Sequence, residues 1–297
     1  MVVRAKRIEL TPKGIRNIGN TCFFNSSIQC LLSIPEFVTF YIENNFDYTR
    51  PISGAFAEFL ADYKKLEIVT PNKFLNFLNS KINLFDGSQQ DAHEFVIRFL
   101  EVLHDELPNK FKKLQSKEEF IAHCSENIIA KLFYSFNKQT IFCSKCGNKS
   151  ESFVLLNMMQ IQVEKTTQEG LSRIFENEKI DGLDVWKCEN CGHSKVAFKQ
   201  LEVIIYPKIL ILYISRFNSM AYKNRDSIKI DEKIKLGNNI YFFNGVVCHS
   251  GNLNEGHYYS SAKRGDKWIN FNDTSIYHGG GSYSDDSPYM VFYSKTI

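Results

Sequence analysis

The sequence predicts an α+β protein, in which a helical first half precedes a second half made mainly of strands. Up to about residue 135, apolar residues recur with the spacing of helices, whereas beyond it they form short segments rich in β-branched and aromatic residues. Runs of helices followed by runs of strands are typical of this class. With 297 residues, 43% of them apolar, the chain can bury a sizeable core in one large domain or two small ones.

Five segments of the first half carry helical apolar patterns. The first begins at Cys22 and ends before Pro35, since proline does not continue a helix. Another spans residues 91–107, where we expect Ser88 to cap the helix N-terminus. The apolar residues of the five patterns are, in order, Phe24, Ile28, Leu31 and Leu32; Phe56, Phe59, Leu60 and Tyr63; Phe74, Phe77 and Leu78; Phe95, Phe99 and Leu103; and Phe120, Cys124, Ile128 and Leu132.

Seven segments of the second half predict strands, because each is short and enriched in β-branched and aromatic residues. Long polar gaps separate several of them, so we expect long connections between the strands. The predicted strands are 153–163, 203–206, 210–215, 241–249, 257–262, 268–271 and 289–293.

The charge balance and the hydropathy pattern exclude several classes of protein. The net charge is +3, from 36 basic and 33 acidic residues, and this gives no reason to expect nucleic acid or an anionic membrane as a partner. The N-terminus lacks the apolar stretch of a secretory signal, and the longest apolar run, residues 203–214, is interrupted and too short to span a bilayer. We therefore expect a monomeric protein that is not secreted and that lies in the cytoplasm or also in the nucleus.

Two Cys-x-x-Cys knuckles predict a structural zinc site. Cys143 and Cys146 form the first knuckle and Cys188 and Cys191 the second, with 41 residues between the inner cysteines, and a glycine follows each knuckle, where a tight turn favours it. Together they supply the four thiolates of a tetrahedral Zn²⁺ site, which leaves no open position for catalysis. The alternatives are four unrelated cysteines, or a zinc ribbon that binds nucleic acid, which the lack of a basic cluster around the knuckles disfavours.

Cys22 is the candidate nucleophile. A polar turn that contains glycine, residues 14–21, runs into the first predicted helix and puts Cys22 at or near its N-terminus. There the helix dipole favours a thiolate, and unpaired N–H groups can help to hold an oxyanion, to which the side-chain amide of Asn17 can add one donor. The alternative is a small buried cysteine without reactivity.

His257 is the candidate base. It opens one predicted strand, and Asn272 and Asp273 end the next, so these residues can meet across a hairpin. A carboxamide or carboxylate in that place would orient the imidazole, as a Cys–His–Asn/Asp triad requires. Spacing alone does not show that Cys22 and His257 meet, and the alternative is a structural histidine.

Five segments, in the expected order, resemble the ubiquitin-specific protease family. Residues 14–31 resemble the family's Cys box, and residues 256–276 resemble its His box. Between these boxes, residues 87–95 resemble the QQDA-x-EF segment of the family, and the two cysteine knuckles follow. Residues 207–217 resemble its P-x-x-L…RF strand, with Ser215 where lysine is usual.

The resemblance implies a papain-like cysteine protease fold with a thumb, a palm and zinc-bearing fingers. Residues 1–13 would be a short extension, and residues 14–297 would form a single catalytic domain. Within that domain the thumb would cover about 14–135, the fingers about 136–205 and most of the palm about 206–297. The fingers would hold one structural zinc ion through Cys143, Cys146, Cys188 and Cys191.

The resemblance also implies a deubiquitinating thiol protease, whose partners are ubiquitin and ubiquitinated proteins. Cys22 would be the nucleophile, His257 the general base and Asn272 the residue that orients the histidine. Asn17 would belong to the oxyanion hole, and Asp273 would lie beside the triad. Two alternatives remain open at this point, an inactive ubiquitin-binding scaffold and a protease for a ubiquitin-like modifier.

A channel for the ubiquitin tail follows from the same resemblance. Asp91 and Glu94 would pair with arginines of the tail, although Ser88-x-x-Asp91 also resembles a capping box. His249 and Tyr258 would narrow the channel so that only glycine fits beside Cys22. The expected substrate-binding residues are Gln89, Gln90, Asp91, Glu94, His249 and Tyr258.

Overall fold

Helices and strands segregate along the chain as the sequence predicts in the computed structural model, which describes residues 8–108, 114–181, 186–193, 195–218, 220, 222–252 and 255–295. Seven of the eight helices in these ranges precede residue 134. Numbered in chain order, the helices are α1 Cys22–Leu31, α2 Pro35–Glu43, α3 Pro51–Lys65, α4 Asn72–Ile82, α5 Ala92–Asp105, α6 Lys117–Glu126, α7 Ile128–Phe133 and α8 Thr167–Arg173. No helix in the described ranges is long and apolar enough to cross a membrane.

Aromatic rings hold the helical half together. The ring of Phe24 on α1 lies 5.5–6.1 Å, centroid to centroid, from those of Phe59, Phe74, Phe85 and Phe95. Four of these five side chains are at most 4% exposed, and burying each contributes about 1.5–3 kcal/mol. The helix that begins at the candidate nucleophile is thereby fixed by its neighbours, and all ten of its residues are buried.

Two predictions about helix ends were wrong. Ser88 does not cap α5, since its own N–H and hydroxyl donate to Asp86, and Asp91 is the N-cap instead. The pattern from residue 120 to 132 belongs to two helices, because the Oδ1 atom of Asn127 accepts the N–H groups of Ile129 and Ala130 and starts α7. In both places the side-chain oxygen of an Asp or Asn accepts backbone N–H groups of the first turn and so decides where the helix begins.

Two small strand pairs accompany the large sheets. Strands β1 (Gly14–Ile15) and β2 (Ile68–Val69) pair in parallel within the helical half. Strands β9 (Ile228–Lys229) and β15 (Ser284–Asp285) pair antiparallel in the second half.

A four-stranded antiparallel sheet follows the helical half. Its order is β4-β3-β7-β6, and its strands are β3 Ser135–Cys143, β4 Lys149–Leu156, β6 Glu178–Asp181 and β7 Val196–Ile205. The register pairs Cys143, the last residue of β3, with Ala197, near the start of β7. The ends of this sheet therefore bring the chain segments with the two cysteine knuckles together.

An eight-stranded sheet makes up most of the rest. Its order is β14-β13-β12-β11-β16-β8-β5, and β10 also pairs with β11. Its strands are β5 Met159–Gln162, β8 Ile209–Ser215, β10 Lys233–Leu236, β11 Asn239–Gly251, β12 Gly256–Arg264, β13 Lys267–Asn272, β14 Ser275–His278 and β16 Pro288–Lys295. Helix α1 packs against β12, so the elements that carry Cys22 and His257 are in contact.

Candidate active site and metal centre

Cys22 lies at the first position of α1 and is 2% exposed. The segment before it is held in a turn by Asn17, whose Oδ1 atom accepts the backbone N–H groups of Gly19 at 3.2 Å and Thr21 at 3.1 Å. Thr21 is the N-cap residue, but its side chain does not cap the helix, so the first N–H groups of α1 remain for another acceptor. The positive end of the helix therefore faces the position where a negative charge would develop near Cys22.

His257 lies near the start of β12, and Asn272 ends β13, the next strand of the hairpin. The Nε2 atom of His257 is 2.7 Å from the Oδ1 atom of Asn272. The pKa of His257 is raised to about 9, mainly by a hydrogen bond with the Cys22 side chain, and also by the one with Asn272, while burial opposes the rise. The fold thus brings a thiol, an imidazole and a carboxamide together from both ends of the chain.

Asp273 binds two asparagines of the segment around Cys22. Its Oδ1 atom accepts a hydrogen bond from Asn25 Nδ2 at 2.7 Å, and its Oδ2 atom accepts one from Asn17 Nδ2 at 3.1 Å. The backbone of Asp273 has φ +50°, and its carbonyl oxygen accepts the N–H of Ile15 at 2.9 Å. One N–H of the Asn17 amide is therefore committed to Asp273, and the other remains available as a donor.

Asp91 is bonded through both carboxylate oxygens. Oδ1 accepts the backbone N–H of His93 at 2.8 Å and lies 2.6 Å from its ring Nδ1, and Oδ2 accepts the hydroxyl of Tyr289 at 2.6 Å. The His93 ring is stacked on Tyr213, with 4.0 Å between centroids and 6° between planes. Burial alone would raise the pKa of Asp91, but the hydrogen bonds with His93 and Tyr289 and the charge of His93 outweigh it and lower that pKa.

His249 and Tyr258 lie side by side, with ring centroids 4.6 Å apart, and Phe217 packs on His249. His249 and Tyr258 are each at most 5% exposed. Burial, helped by the charge of Lys223, lowers the pKa of His249 to about 4, so its ring is neutral near pH 7. A Cβ atom on Gly256 would lie 2.1 Å from Nε2 of His249, so the residue before His257 has to be glycine.

The remaining predicted substrate-binding residues lie on the surface before and within α5. Gln89 donates to the Oδ1 atom of Asn20 at 3.0 Å, and Gln90 donates to that of Asp86 at 3.0 Å. Glu94 is paired with Arg98, one helical turn later, at 2.5 Å. Glu94 therefore has a partner already, and a ligand would have to compete with Arg98 for it.

Two cavities that share Gln89 lead from Asp91 to His257. The first measures about 450 Å³ and is lined by Ser88, Gln89, Gln90, Asp91, Phe217, His249 and Tyr258. The second measures about 460 Å³ and is lined by Asn20, Gln89, Ser250, Gly251, Glu255, Gly256 and His257. We call these two cavities together the groove. It has the carboxylate of Asp91 at one end and the imidazole of His257 at the other, and this arrangement suits an extended peptide tail that carries basic side chains.

Sequence reasoning missed several residues of this region, namely Asn20, Asn25, His93, Tyr213, Phe217 and Tyr289. Asn25 had a usable signal, because an amide within a helix that is otherwise mostly apolar needs a partner. Tyr213 and Tyr289 gave no such signal in the sequence. They have the pattern of ordinary strand residues, and only the topology shows that their strands lie next to α5.

The four knuckle cysteines converge. Their Sγ atoms all lie within 4.8 Å of one another, and the pairs Cys143–Cys191 and Cys146–Cys188 are 3.7 and 3.6 Å apart. Four sulfurs about 2.3 Å from one tetrahedral ion would be separated by about 3.8 Å, so the set fits a Zn²⁺-sized ion. Each knuckle is a tight turn in which the following glycine has positive φ, +71° at Gly147 and +68° at Gly192, as the sequence predicts.

Comparisons with known proteins show which family and fold the chain shares. Residues 13–293 match the family described as ubiquitin carboxyl-terminal hydrolase. Ubiquitin carboxyl-terminal hydrolase 25 of Arabidopsis thaliana is 26% identical, over 98% of this chain and 48% of its own length. Usp2 of Drosophila melanogaster is 26% identical, over 95% of this chain and 35% of its own length. The chain therefore spans less than half the length of these two relatives.

Solved structures share the fold. The SAGA DUB module with Ubp8, Sgf11, Sus1 and Sgf73 bound to monoubiquitin covers the whole of this chain, with TM-score 0.75 and 23% identity, and the match takes in 73% of that chain. A second structure, of yeast SAGA DUBm with a mutant Sgf73, has TM-score 0.77 and 24% identity and is matched over 71% of its chain. With a family match that extends over residues 13–293, the chain belongs to the ubiquitin carboxyl-terminal hydrolase family.

Proposed function

We propose that the chain is a cysteine-type deubiquitinase that hydrolyses the peptide or isopeptide bond after the C-terminal glycine of ubiquitin. The observation that carries the proposal is the placement of His257 between Cys22, whose side chain raises the pKa of the imidazole, and Asn272, whose Oδ1 atom lies 2.7 Å from Nε2. Nε2 is taken by Asn272, so Nδ1 is the nitrogen left for the thiol. This pattern of cysteine, imidazole and orienting amide supports nucleophilic catalysis.

In the proposed reaction Cys22 and His257 form a thiolate and an imidazolium. The thiolate attacks the carbonyl carbon of the terminal glycine, and the resulting oxyanion is held by N–H groups at the start of α1 and by the free N–H of Asn17. The C–N bond breaks as the imidazolium gives its proton to the leaving amine. Water, deprotonated by His257, then hydrolyses the thioester and releases ubiquitin and the free thiol.

The groove from Asp91 to His257 supports ubiquitin as the substrate. Asp91 supplies negative charge for a basic side chain of the tail, and the buried rings of His249 and Tyr258 restrict the passage toward Cys22. Glycine is the residue that such a narrow passage admits without a clash. We propose that Gln89, Gln90 and, after release from Arg98, Glu94 make further polar contacts with the tail.

We further propose that the helical residues form the thumb, the sheet β4-β3-β7-β6 the fingers, and the large sheet the palm. In the fingers, Cys143, Cys146, Cys188 and Cys191 would hold one zinc ion. The ion would supply no chemistry to the reaction and would cross-link the two knuckles, since four thiolates complete its coordination. We propose a monomer that acts on ubiquitin and ubiquitinated proteins.

A ubiquitin molecule with an electrophile in place of its C-terminal carboxylate tests the proposal. We expect the probe to label the protein once, at Cys22, and the Cys22→Ala variant to stay unlabelled. Binding of ubiquitin without labelling would indicate an inactive scaffold instead. Labelling by a NEDD8 or SUMO probe but not by the ubiquitin probe would indicate a protease for a ubiquitin-like modifier.

A further inference from the structure

A buried polar cluster joins α1, α3 and β12. Nη2 of Arg264 donates to both the carbonyl oxygen and the Oε1 atom of Gln29, at 3.1 and 2.8 Å. The same Oε1 atom accepts the hydroxyl of Tyr63 at 2.9 Å, and Nε2 of Gln29 donates to the carbonyl oxygen of Lys13 at 2.8 Å. Gln29, Tyr63 and Arg264 are 1%, 0% and 8% exposed, so water contributes little to these contacts.

The buried charge of Arg264 lowers the stability of the fold, so stability alone does not explain why the cluster is there. In the described part of the chain no carboxylate forms an ion pair with Arg264, whose guanidinium instead lies 4.8 Å from the Phe271 ring and also donates to the carbonyl oxygen of Lys263. Its buried Nε has no hydrogen-bond partner among the described residues. Burying a cation with neutral partners costs free energy that an apolar side chain of similar size would avoid.

The cluster takes one member from each of the three segments that carry Cys22, His257 and Asn17. Gln29 lies seven residues after Cys22, which is about two turns along the same face of α1. Arg264 ends the strand near whose start His257 lies. The Lys13 carbonyl directly precedes β1, which leads into the turn held by Asn17.

We propose that Gln29 and Arg264 are positioning residues, which fix α1 against β12 and against the segment before β1 so that Cys22, His257 and Asn17 meet in one geometry. This inference rests on the proposed function, because it assigns these residues a part in the same reaction. Reactions of this kind are sensitive to small displacements, since a shift of about 1 Å can cost 100-fold in rate. On this proposal the buried charge of Arg264 serves to align the catalytic groups, which explains its presence despite the cost in stability.

The test compares Gln29→Met, Arg264→Met and the double variant in hydrolysis of ubiquitin carrying a fluorogenic C-terminal amide. We expect each single variant to lower kcat about 10-fold or more and to leave KM within about 3-fold, because no residue of the cluster lines either cavity of the tail groove. The double variant should be little worse than the worse single variant, since the two side chains act as one unit. Additive losses, or kcat values near wild type in folded variants, would overturn the proposal.

Asn244→Ala is the matched control. Nδ2 of Asn244 on β11 donates to the hydroxyl and the carbonyl oxygen of Ser33, just after α1, so it joins the helical half to the large sheet at the end of α1 opposite to Cys22. It should lower the melting temperature while kcat stays near wild type. A loss of kcat in Asn244→Ala equal to that in Arg264→Met would mean that any weakened contact between the two halves suffices, and the proposal would fail.

A second measurement needs no ubiquitin. The rate of Cys22 alkylation by iodoacetamide between pH 5 and 9 reports the thiolate that His257 stabilises. We expect the fast reaction at low pH to be lost in both methionine variants and kept in Asn244→Ala. If wild type alkylates in this way but does not cleave ubiquitin, the proposed function fails while the positioning role stands. An unchanged pH profile of alkylation in folded Gln29→Met would refute the positioning role. Gln29→Met removes no charge, so it can be used for the test even if Arg264→Met does not fold.

Discussion

The Nε2 atom of His257 and the Oδ1 atom of Asn272 lie 2.7 Å apart, at the open end of the hairpin formed by β12 and β13. Because a carboxamide oxygen only accepts, Nε2 must carry the proton in this contact. In the proposed reaction, Nδ1 is then the atom that exchanges a proton with Cys22. The pairing explains how a neutral residue can fix the tautomer of the histidine without supplying a counter-charge.

The raised pKa of His257 gives the first prediction. The imidazolium is favoured mainly by the side chain of Cys22, so Cys22→Ala should lower the pKa of His257 from about 9 toward the ordinary value of 6.5. An NMR titration of the histidine ring in wild type and variant measures this. If the His257 pKa is the same in both proteins, the thiol and the imidazole do not interact.

The same shift sets a pH dependence of stability. Since the pKa is higher in the folded than in the unfolded protein, the contribution of His257 to the free energy of unfolding is fully present below about pH 6.5 and disappears as the pH rises through about 9. Urea unfolding between pH 6 and 9.5 should therefore show wild type losing more stability than Cys22→Ala. A variant whose stability falls as steeply as that of wild type would contradict the assignment.

The second prediction concerns turnover. Cys22→Ala should abolish hydrolysis and keep ubiquitin affinity within a few-fold, because the 2% exposed thiol offers little binding surface. Calorimetry with ubiquitin and an amide hydrolysis assay measure the two quantities. Cys124→Ala is the control, since Cys124 lies on α6 outside both cavities and should retain full activity. Residual turnover by a clean Cys22→Ala preparation would show that another group is the nucleophile.

The sequence was sufficient for those parts of the fold that depend on local pattern. Phe24, Phe59 and Phe95 could be assigned to buried helix faces because helical spacing repeats over several turns. Helix ends were less predictable, as at Asp91 and Asn127, where one side-chain hydrogen bond decides between neighbouring candidates. The segment that contains α2 shows no clear pattern in so short a helix and was not predicted.

The candidate site was predictable as a set of residues and not as a geometry. Cys22, His257 and Asn272 stand in recognisable motifs, but periodicity cannot show which atoms meet across the whole chain. The bonds from Asn17 and Asn25 to Asp273 depend on where the turn after β13 is packed, which is a tertiary property. For the same reason no local pattern reveals the stack of His93 on a strand that follows it by more than a hundred residues.

The third prediction concerns the metal. Protein purified without chelators should contain one zinc ion per chain, and Cys188→Ser should lose it, because three thiolates bind Zn²⁺ more weakly than four. Protease digestion of Cys188→Ser should cut first within residues 136–205, where the knuckles lose their cross-link. Elemental analysis measures the metal, with Cys124→Ser as the control that keeps it. Zinc-free wild type, or unchanged zinc in Cys188→Ser, would refute the site.

The fourth prediction separates Asp91 from Glu94. Asp91→Asn should raise KM for ubiquitin about 10-fold or more with a smaller effect on kcat, because it removes a partly buried charge at the far end of the groove. Glu94→Gln should have a weaker effect, since Glu94 lines neither cavity and is paired with Arg98 on the surface. Steady-state kinetics with the fluorogenic ubiquitin amide measure both variants. A larger KM effect from Glu94→Gln than from Asp91→Asn would mean that Glu94, and not Asp91, makes the main contact with the tail.

The last prediction separates Asn272 from Asp273, which stand next to each other and bind different partners. Asn272→Ala should lower kcat about 10-fold or more and shift the alkylation profile of Cys22, because His257 loses the acceptor that fixes its tautomer. Asn272→Asp should be tolerated, since a carboxylate accepts the same hydrogen bond.

Asp273 requires a different substitution, because its φ of +50° penalises alanine by about 1–2 kcal/mol whatever its side chain does. Asp273→Gly removes the carboxylate without that penalty and frees Asn17 and Asn25 from their shared anchor. We expect kcat to fall about 10-fold, because Asn17 then stabilises the oxyanion less well. Alkylation of Cys22 forms no oxyanion, so it should keep most of its pH profile. If Asp273→Gly shifts the alkylation profile and Asn272→Ala does not, Asp273 is the residue that orients His257, and the hydrogen bond of Asn272 is incidental.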